Sequence, residues 1–335
     1  MIRSWLAVIC CCSVFLISKF PVVTARGDDL DARSHETISE FTEEDILGQM
    51  TQISIAKLFK ESTLTLNENK VHEFARARIG SYLDLPFSGG PVDSKYGWTA
   101  EQWRVTIARI QAIRKEEDPS GSPILFGIDA SHGATYVSNA VLFGQQINGA
   151  ASFNPGLIYN TDRITDHDSE VARLPWVFDP MLEISQNLLW SRTFETFGED
   201  PFVVSVMADA VIRGLQSNPY TAACMNHFIG YSKTPSDHGR DDVTLSDFDL
   251  LNYFAPPFLA VVNAGAMSAI ENYISINGEP VAASAKILKD LLRDEMDFDG
   301  VLASDRAEVN NLFDWHCVAK SKTPCASRSH RSPST

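Results

Sequence analysis

Two acidic residues stand at the ends of apolar runs, where a carboxylate can be both fixed and reachable. Asp129 follows the run 123–128, and Gly133 would let the backbone turn beneath it. A carboxylate here could accept hydrogen bonds from two sugar hydroxyls, or it could cap the next helix. Asp305 follows a second such run, and the adjacent Arg306 would keep its carboxylate ionised. An ionised, fixed carboxylate can attack an anomeric carbon, whereas a lone aspartate here would more simply be a helix cap.

Two further segments place polar side chains among apolar and aromatic ones. Segment 190–201 contains Arg192 and three acidic residues between aromatic side chains. This mixture suits stacking and hydrogen bonding of a sugar ring, and the alternative is an ion-paired loop that stiffens a strand-to-helix connection. His227 lies in the apolar segment 225–231. It is either a core histidine whose ring nitrogens are hydrogen-bonded within the protein or a ligand-binding residue at a strand end.

The middle of the chain alternates short apolar runs, rich in branched residues, with longer amphipathic stretches. This alternation predicts a parallel sheet covered by helices on both faces. Helical spacing of apolar residues predicts a helix over 99–117, and Asp200 followed by Pro201 predicts the start of another. Two more helices are predicted to begin at Ser246 and Ser284. The predicted strands are 79–85, 123–129, 175–181, 222–229, 267–273 and 300–305.

A polar residue lies near the end of each predicted strand: Asp84, Asp129, Asp179, His227, Tyr273 and Asp305. In a closed barrel of parallel strands, those ends form the mouth in which active sites are built. The glycine motifs of nucleotide-binding open sheets do not occur in the sequence. The predicted fold class is therefore α/β, with a TIM-type (β/α)8 barrel. A seventh strand is placed within 143–153 and the eighth is missing from the end, so the barrel is expected to be incomplete at its C-terminal end.

The composition excludes several classes of function. Lys and Arg number 28 against 43 Asp and Glu, which gives a formal net charge of −15 and disfavours binding to nucleic acid or to anionic membranes. The sequence contains neither the paired His and Cys spacing of a zinc site nor the elbow motif of serine hydrolases. No metal and no cofactor are expected. Three of the six cysteines are consecutive, at positions 10 to 12, so a disulfide scaffold is not expected.

Both ends of the chain differ from its middle. Residues 1–25 combine a basic start, a 13-residue apolar core and small residues, which is typical of a secretory signal peptide; an uncleaved anchor is the alternative. Residues 26–45 are acidic and predicted to be a disordered leader. The barrel is predicted over 46–315, and the basic, Ser-rich segment 316–335 is predicted to be a disordered tail. We therefore expect a secreted protein with no membrane segment once the signal is removed.

Five ordered motifs resemble the N-terminal barrel of glycoside hydrolase family 3, in particular its secreted β-glucosidases. The motifs read GIDASHG at 127–133, RTFETFGEDP at 192–201, HFIGYS at 227–232, YISINGEP at 273–280 and SD at 304–305. The resemblance implies a carbohydrate substrate, a β-glucoside or β-glucan, whose terminal β-D-glucosyl residue is removed with retention of configuration. It implies that Asp305 is the catalytic nucleophile. The residues that match the family's sugar-binding positions are Asp129, Arg192, His227 and Tyr273.

Three departures from the family pattern affect the expected activity. The family has a lysine where this chain has Asn226, and often an aromatic residue where it has Arg306. The family's second α/β domain, which supplies the acid/base glutamate, is absent from this sequence. We therefore expect impaired hydrolysis, and the alternative is a non-catalytic carbohydrate-binding remnant or a truncated gene product. A family 3 N-acetylglucosaminidase is disfavoured, because segment 230–232 lacks the glycine-rich loop expected there.

Overall fold

The computed structural model describes residues 27–61, 63–84, 91–92, 94–118, 122–187, 189–236 and 239–321. The strands are β1 Gln52–Ser54, β2 Ser81–Leu83, β3 Leu125–Ile128, β4 Trp176–Val177, β5 Ala222–Phe228, β6 Asp242–Val243, β7 Ser268–Glu271, β8 Ser275–Ile276, β9 Glu279–Pro280 and β10 Val301–Ala303. The α-helices are α1 Gly27–Ser39, α2 Glu43–Gln49, α3 Glu68–Arg76, α4 Ala100–Glu117, α5 Gln146–Ala150, α6 Pro155–Ala172, α7 Pro201–Leu215, α8 Asp247–Asp249, α9 Ala255–Asn263 and α10 Glu308–Asp314. Two π-helical segments are Leu250–Phe254 and Lys286–Glu295.

Seven of these strands form one parallel sheet, in the order β1-β2-β3-β4-β5-β7-β10. Helical segments connect each strand to the next, as parallel pairing requires. The predicted α/β fold with an incomplete barrel is confirmed by this arrangement. Within the described residues, β1 and β10 are the terminal strands of the sheet, so each pairs on one side only. Strands β6, β8 and β9 form a separate small sheet beyond the end of β7.

The first strand of the sheet is the one that the sequence did not predict. β1 has three residues, Gln52, Ile53 and Ser54, and all three are only partly buried. So short a segment has no apolar run and therefore no strand signal. The strand predicted within 143–153 is wrong, because that segment contains helix α5, and the buried Gln146 there donates a hydrogen bond to Asp179.

The helices that begin near Thr99, Asp200 and Ser246 start at the predicted positions. Thr99 and Gln102 form a capping box at the start of α4, and Asp200 accepts hydrogen bonds from two backbone N–H groups at the start of α7. Ser246 caps the helix that runs through α8 into α9. Each of these caps satisfies backbone donors that a helix end would leave open. The caps therefore fix where each helix leaves its loop, and the loops carry the candidate site.

A small apolar cluster fills the inside of the sheet. Trp176, Phe178 and Cys224 are buried together there, with Ile270 and Ala303 packed against them. The indole Nε1 of Trp176 donates to the Ser268 hydroxyl at 2.7 Å. These residues alternate along their strands with residues that face the helices, as strand geometry requires. The cluster forms a floor beneath the carboxyl ends of the strands.

A buried ion pair lies at the end of α4, and Arg78 links it to the segment after α3. Asp118 and Arg114 are almost fully buried and lie 2.6 Å apart, and Arg78 approaches the other Asp118 oxygen at 2.9 Å. We expect Asp118→Ala to lower the free energy of unfolding by about 3–5 kcal/mol, because Arg114 would keep a buried charge without its partner. Urea unfolding measures this change. The control is Asp209→Ala, which breaks an exposed pair with Arg213 and should cost at most about 1 kcal/mol; equal losses would contradict the prediction.

The structure describes part of both end segments that the sequence predicts to be disordered. Helix α1 spans Gly27–Ser39 of the predicted leader, in a segment that includes helix-forming Leu, Ala and Arg residues. At the other end, His316 is held by Glu308 at 2.6 Å, and the backbone N–H of Val318 donates to the Leu312 carbonyl. Residues 316–318 therefore make contacts with α10, while the disorder predicted for the tail stays a prediction. The predicted signal peptide and residues 322–335 lie outside the described residues. Among the residues that the structure describes, no helix is long and apolar enough to cross a membrane.

Candidate active site

All five predicted site residues line one cavity of about 990 Å³, and they lie at the carboxyl-end side of the strands. Asp129 follows β3, His227 lies near the end of β5, and Tyr273 follows β7. Asp305 follows β10, and Arg192 lies in the loop that precedes α7. Five of the six residues predicted at strand ends line this cavity: Asp84, Asp129, His227, Tyr273 and Asp305. The chemical roles of the site residues stay predictions.

Three donors converge on the Asp305 carboxylate. The Tyr273 hydroxyl donates a short hydrogen bond to Oδ1, and the backbone N–H of Arg306 donates to the same oxygen at 2.5 Å. Oδ2 lies 3.3 Å from Nε2 of His227. Burial alone would raise the pKa of Asp305, but His227, Tyr273 and the Arg306 N–H outweigh it and hold that pKa below its usual value. The carboxylate is therefore ionised at neutral pH and fixed in orientation.

His227 is a buried cation whose two ring nitrogens face carboxylates. Nδ1 lies 2.8 Å from Oε1 of Glu183, and Nε2 faces Asp305. Burial would lower the pKa of His227, yet Glu183 and Asp305 raise it to about 9 in spite of the nearby Arg192. The imidazolium can then donate from both nitrogens. The pairing of β5 with β7 shifts its register between Met225 and Phe228, and this irregularity helps to aim the His227 side chain into the mouth.

Arg192 is fixed by a bidentate pair with Glu195. The guanidinium donates from Nε at 3.0 Å and from Nη2 at 2.6 Å to the two Glu195 oxygens. Its Nη1 lies 3.3 Å from the His227 ring, and the group also lies over the Tyr231 ring at 5.9 Å. The ion-paired loop and the arginine that faces a ligand site were predicted as alternatives, and both occur here. The pair with Glu195 orients the Arg192 guanidinium toward the cavity.

Asp129 is the carboxylate left open in this cavity. Its side chain is exposed to the cavity and forms no hydrogen bond with any residue that the structure describes. Burial and the neighbouring Asp84 raise the pKa of Asp129 to about 6, in spite of Arg192. Gly133 has φ +107°, and a Cβ there would lie 2.3 Å from the Val141 carbonyl oxygen, so the turn that follows Asp129 requires glycine.

Aromatic rings border the pair formed by His227 and Asp305. Tyr231 meets the His227 ring edge-on at a centroid distance of 5.1 Å, and Tyr273 lies 5.9 Å from Tyr231. The Arg240 guanidinium lies 4.2 Å from the centre of the Tyr273 ring, which holds that ring over the cavity. Flat apolar faces beside fixed hydrogen-bonding groups are what a sugar ring requires of its binding site.

Two buried glutamates support the site, and the sequence did not single them out. Glu183 lies behind His227, and Glu271 accepts a hydrogen bond from the backbone N–H of Asp305 at 3.2 Å. Burial, with the charges of Glu308 and Asp305, raises the pKa of Glu271 well above its usual value. The available signal was a glutamate inside an otherwise apolar segment, which also occurs at many structural positions.

Asp179 was also predicted at the end of a strand, but it is not among the residues that line the cavity. It is completely buried and accepts a hydrogen bond from Gln146 at 2.5 Å. Asn226 does line the cavity, and its buried Oδ1 has no hydrogen-bond partner among the described residues. In the described part of the chain, no cluster of His, Cys, Asp or Glu side chains is arranged to hold a metal ion.

The arrangement places a fixed carboxylate, Asp305, beside an open carboxylate, Asp129, and two cations, Arg192 and His227. The first can act as a nucleophile, and the second can accept hydrogen bonds from hydroxyl groups. The cations can donate to the oxygen atoms of a bound polyol. Glycoside hydrolysis with retention needs such a carboxylate together with a tight grip on the sugar.

Comparisons with known proteins agree with this chemistry. The family described as glycosyl hydrolase family 3 N terminal domain matches residues 43–327. A lysosomal β-glucosidase of Dictyostelium discoideum is 37% identical over 287 residues, which are 82% of this chain and 35% of that protein. A β-xylosidase of Formosa agariphila is 30% identical over 233 residues, 66% of this chain and 32% of that protein.

A β-glucosidase structure from Erythrobacter marinus superimposes with a TM-score of 0.77 at 23% identity, and the match covers 89% of this chain and 39% of that one. At that identity the likeness shows the fold. The chain spans about a third of the length of the two curated relatives described above. The family match extends from α2 to beyond α10 and includes every residue of the cavity. The chain belongs to glycosyl hydrolase family 3, through that family's N-terminal domain.

Proposed function

We propose that this domain removes terminal β-D-glucosyl residues from β-glucosides or β-glucans by a retaining mechanism. The observation that carries the proposal is the Asp305 carboxylate, kept ionised by donors from Tyr273, His227 and the Arg306 backbone at the mouth of a family 3 barrel. The name of the Dictyostelium relative, a β-glucosidase, supports glucose as the sugar. The β-xylosidase among the relatives makes xylosides the comparison substrate.

In the proposed reaction, an Asp305 oxygen bonds to the anomeric carbon while the bond from that carbon to the leaving oxygen breaks. A second carboxyl group gives its proton to the leaving oxygen and later takes one from the water that hydrolyses the glycosyl ester. Asp129 accepts hydrogen bonds from sugar hydroxyls, while Arg192 and His227 donate to sugar oxygens. Tyr273 holds the nucleophile in place until the attack.

The test uses 2,4-dinitrophenyl 2-deoxy-2-fluoro-β-D-glucoside, whose leaving group departs without a proton. We expect the full chain to gain the mass of one fluoroglucosyl group, on the peptide that contains Asp305. The control variant Asp290→Asn, changed on an exposed helix, should be labelled equally. An unlabelled protein that still binds glucose would favour the alternative of a non-catalytic carbohydrate-binding chain. Label on another carboxylate would remove Asp305 from its role.

We also propose that turnover is slow, because the described cavity lining offers no free acid for the leaving group. Its other carboxyl groups are Asp84, Asp129, Glu195 and Glu271. Glu195 is paired with Arg192, and Glu271 is almost fully buried, with its pKa raised well above the usual value. Asp129 has a pKa of about 6 and is assigned here to the sugar hydroxyls, and Asp84 lies near the charge of Arg306. For a dinitrophenyl β-glucoside, azide should therefore accelerate turnover and give the β-glucosyl azide, because it attacks the glycosyl-enzyme in place of activated water. Fast hydrolysis that azide leaves unchanged would contradict this part of the proposal.

The Tyr273 hydroxyl should set the acid limit of the reaction. Its hydrogen bond stabilises the ionised form of Asp305, so Tyr273→Phe should raise the pKa of that carboxyl. A nucleophile must be ionised, and the rate of labelling should then begin to fall at a higher pH in the variant than in the wild type. The measurement is the labelling rate against pH. Tyr253→Phe, on the surface of the helix after Ser246, is the control and should leave the profile unchanged; an unmoved limit in Tyr273→Phe would contradict the assignment.

We propose that the protein is secreted, on the sequence of residues 1–25. Protein recovered from the culture medium of an expressing cell should begin at Arg26 by N-terminal sequencing. Retention of residues 1–25 in the cell-associated protein would favour the uncleaved anchor instead.

A further inference from the structure

Glu183 and His227 are brought together by adjacent segments of the sheet. The chain after β4 runs alongside β5, where the Leu182 N–H donates to the Asn226 carbonyl and the Asn226 N–H donates to the Pro180 carbonyl. This register places Glu183 next to His227, 44 residues away in sequence. Both side chains are almost fully buried, with 1% and 7% of their surfaces exposed.

One oxygen of Glu183 holds His227 at two points. Oε1 accepts from the backbone N–H of His227 at 2.9 Å and from its ring Nδ1 at 2.8 Å. A carboxylate only accepts hydrogen bonds, so Nδ1 must carry its proton. With Nδ1 held in this way, Nε2 is directed to Asp305 at 3.3 Å. Turning the ring over would break the contact with Glu183 and remove Nε2 from Asp305.

Four charged side chains, from several segments of the chain, surround the His227 ring. Glu183 lies on one side and Asp305 on the other, with Arg192 and its partner Glu195 beside the ring. The rings that border it are those of Tyr231 and Tyr273. Glu183 itself is ionised, because His227 and Arg192 lower its pKa against the effect of burial. The buried glutamate is thus the counterion that keeps a charged imidazole beside the nucleophile.

We propose that Glu183 is a positioning residue, which holds the His227 ring with both nitrogens protonated and Nε2 facing Asp305. The kinetic part of this proposal rests on the proposed function, since it assumes that Asp305 is the nucleophile. Glu183 lies behind the ring and does not contact the sugar. Its effect reaches the reaction through His227, which in turn fixes and stabilises the ionised Asp305.

The first test follows the ring nitrogens of His227 by NMR in the full wild-type chain, with ¹⁵N-labelled histidine and His227→Gln for assignment. We expect both nitrogens to be protonated at neutral pH, with deprotonation at about pH 9. In Glu183→Gln the proton should bind at least about tenfold more weakly, which is one pH unit. Glu183→Asp keeps the charge and should restore most of the difference. A wild-type His227 that titrates near its ordinary value of about 6.5 would overturn the proposal without any variant.

The second test measures labelling by the fluoroglucoside against pH. In Glu183→Gln the labelling rate should begin to fall at a pH at least about one unit lower than in the wild type, because His227 loses its proton earlier, and at lower pH, where the ring is charged in both proteins, the two rates should approach each other. A merely structural role predicts an equal loss at every pH, and this outcome would overturn the proposal. The exposed Glu101→Gln is the control. A wild-type chain that is never labelled, but whose His227 titrates as expected, would count against the proposed function and leave the coupling of Glu183 to His227 supported.

Discussion

Asp305→Gly should hydrolyse a dinitrophenyl β-glucoside roughly 10⁴-fold or more slowly than the wild-type chain, since removal of a nucleophile has effects of this size. The three donors that converge on Asp305 would then face an empty space large enough for a small anion. Azide should enter that space and attack the anomeric carbon directly. A single displacement inverts the configuration, so the product should be the α-glucosyl azide.

The anomer of the product makes this experiment specific. Azide acting on the wild-type chain attacks an enzyme-bound glycosyl group that has already been inverted once, and should give the β-azide. The same reagent therefore gives opposite anomers in the wild type and in Asp305→Gly if the assignment is right. NMR of the isolated products distinguishes them by the coupling between H1 and H2. A β-azide from Asp305→Gly would show that another carboxylate forms the bond to carbon.

Asp129→Ala should reduce kcat/KM for the glucoside by roughly 10²- to 10⁴-fold. A hydrogen bond to a charged group contributes about 1.5–3 kcal/mol, and an open carboxylate can accept two from neighbouring hydroxyls. The pKa of Asp129 in the free protein is about 6. The ionised acceptor is therefore present above that pH, and binding of glucose should weaken as the pH falls through 6.

The neighbouring Asp84 provides a matched control for this pH dependence. Its negative charge helps to raise the pKa of Asp129, so Asp84→Asn should move the loss of glucose binding to lower pH while affinity at neutral pH changes little. Calorimetric titration with glucose at several pH values measures both effects. Unchanged affinity in Asp129→Ala would show that Asp129 has only a local structural role at the turn before α6.

The mouth of the sheet could be predicted from sequence because one rule governs it. Side chains that follow parallel strands must gather at one edge, and this places Asp129, His227 and Asp305 together although 176 residues separate the first and last. The same rule failed for Asp179, whose side chain is buried against Gln146. Strand-end position does not say which way a side chain is directed once the chain turns. That direction depends on packing between α5 and the strands.

Glu183 and β1 illustrate what the sequence could not supply. Glu183 acquires its importance from His227, 44 residues later, and no pattern within its own segment marks that contact. β1 has only three residues and is identified by its pairing, where Ile53 lies opposite Tyr82. Long-range pairing defines both features, whereas helix caps such as Thr99 with Gln102 are local and could be predicted.

The position of β10 at the edge of the sheet has a consequence for how the protein loses activity. β10 is three residues long, pairs only with β7 among the described strands, and leads directly to Asp305. Local opening takes place most readily where contacts are few, so this edge should detach at a smaller free energy than that of global unfolding. Amide hydrogens of β10 should exchange with solvent faster than those of β5, which is paired on both sides. Asp305, the proposed nucleophile, would then be displaced in mild denaturant while most of the helices and strands remain folded.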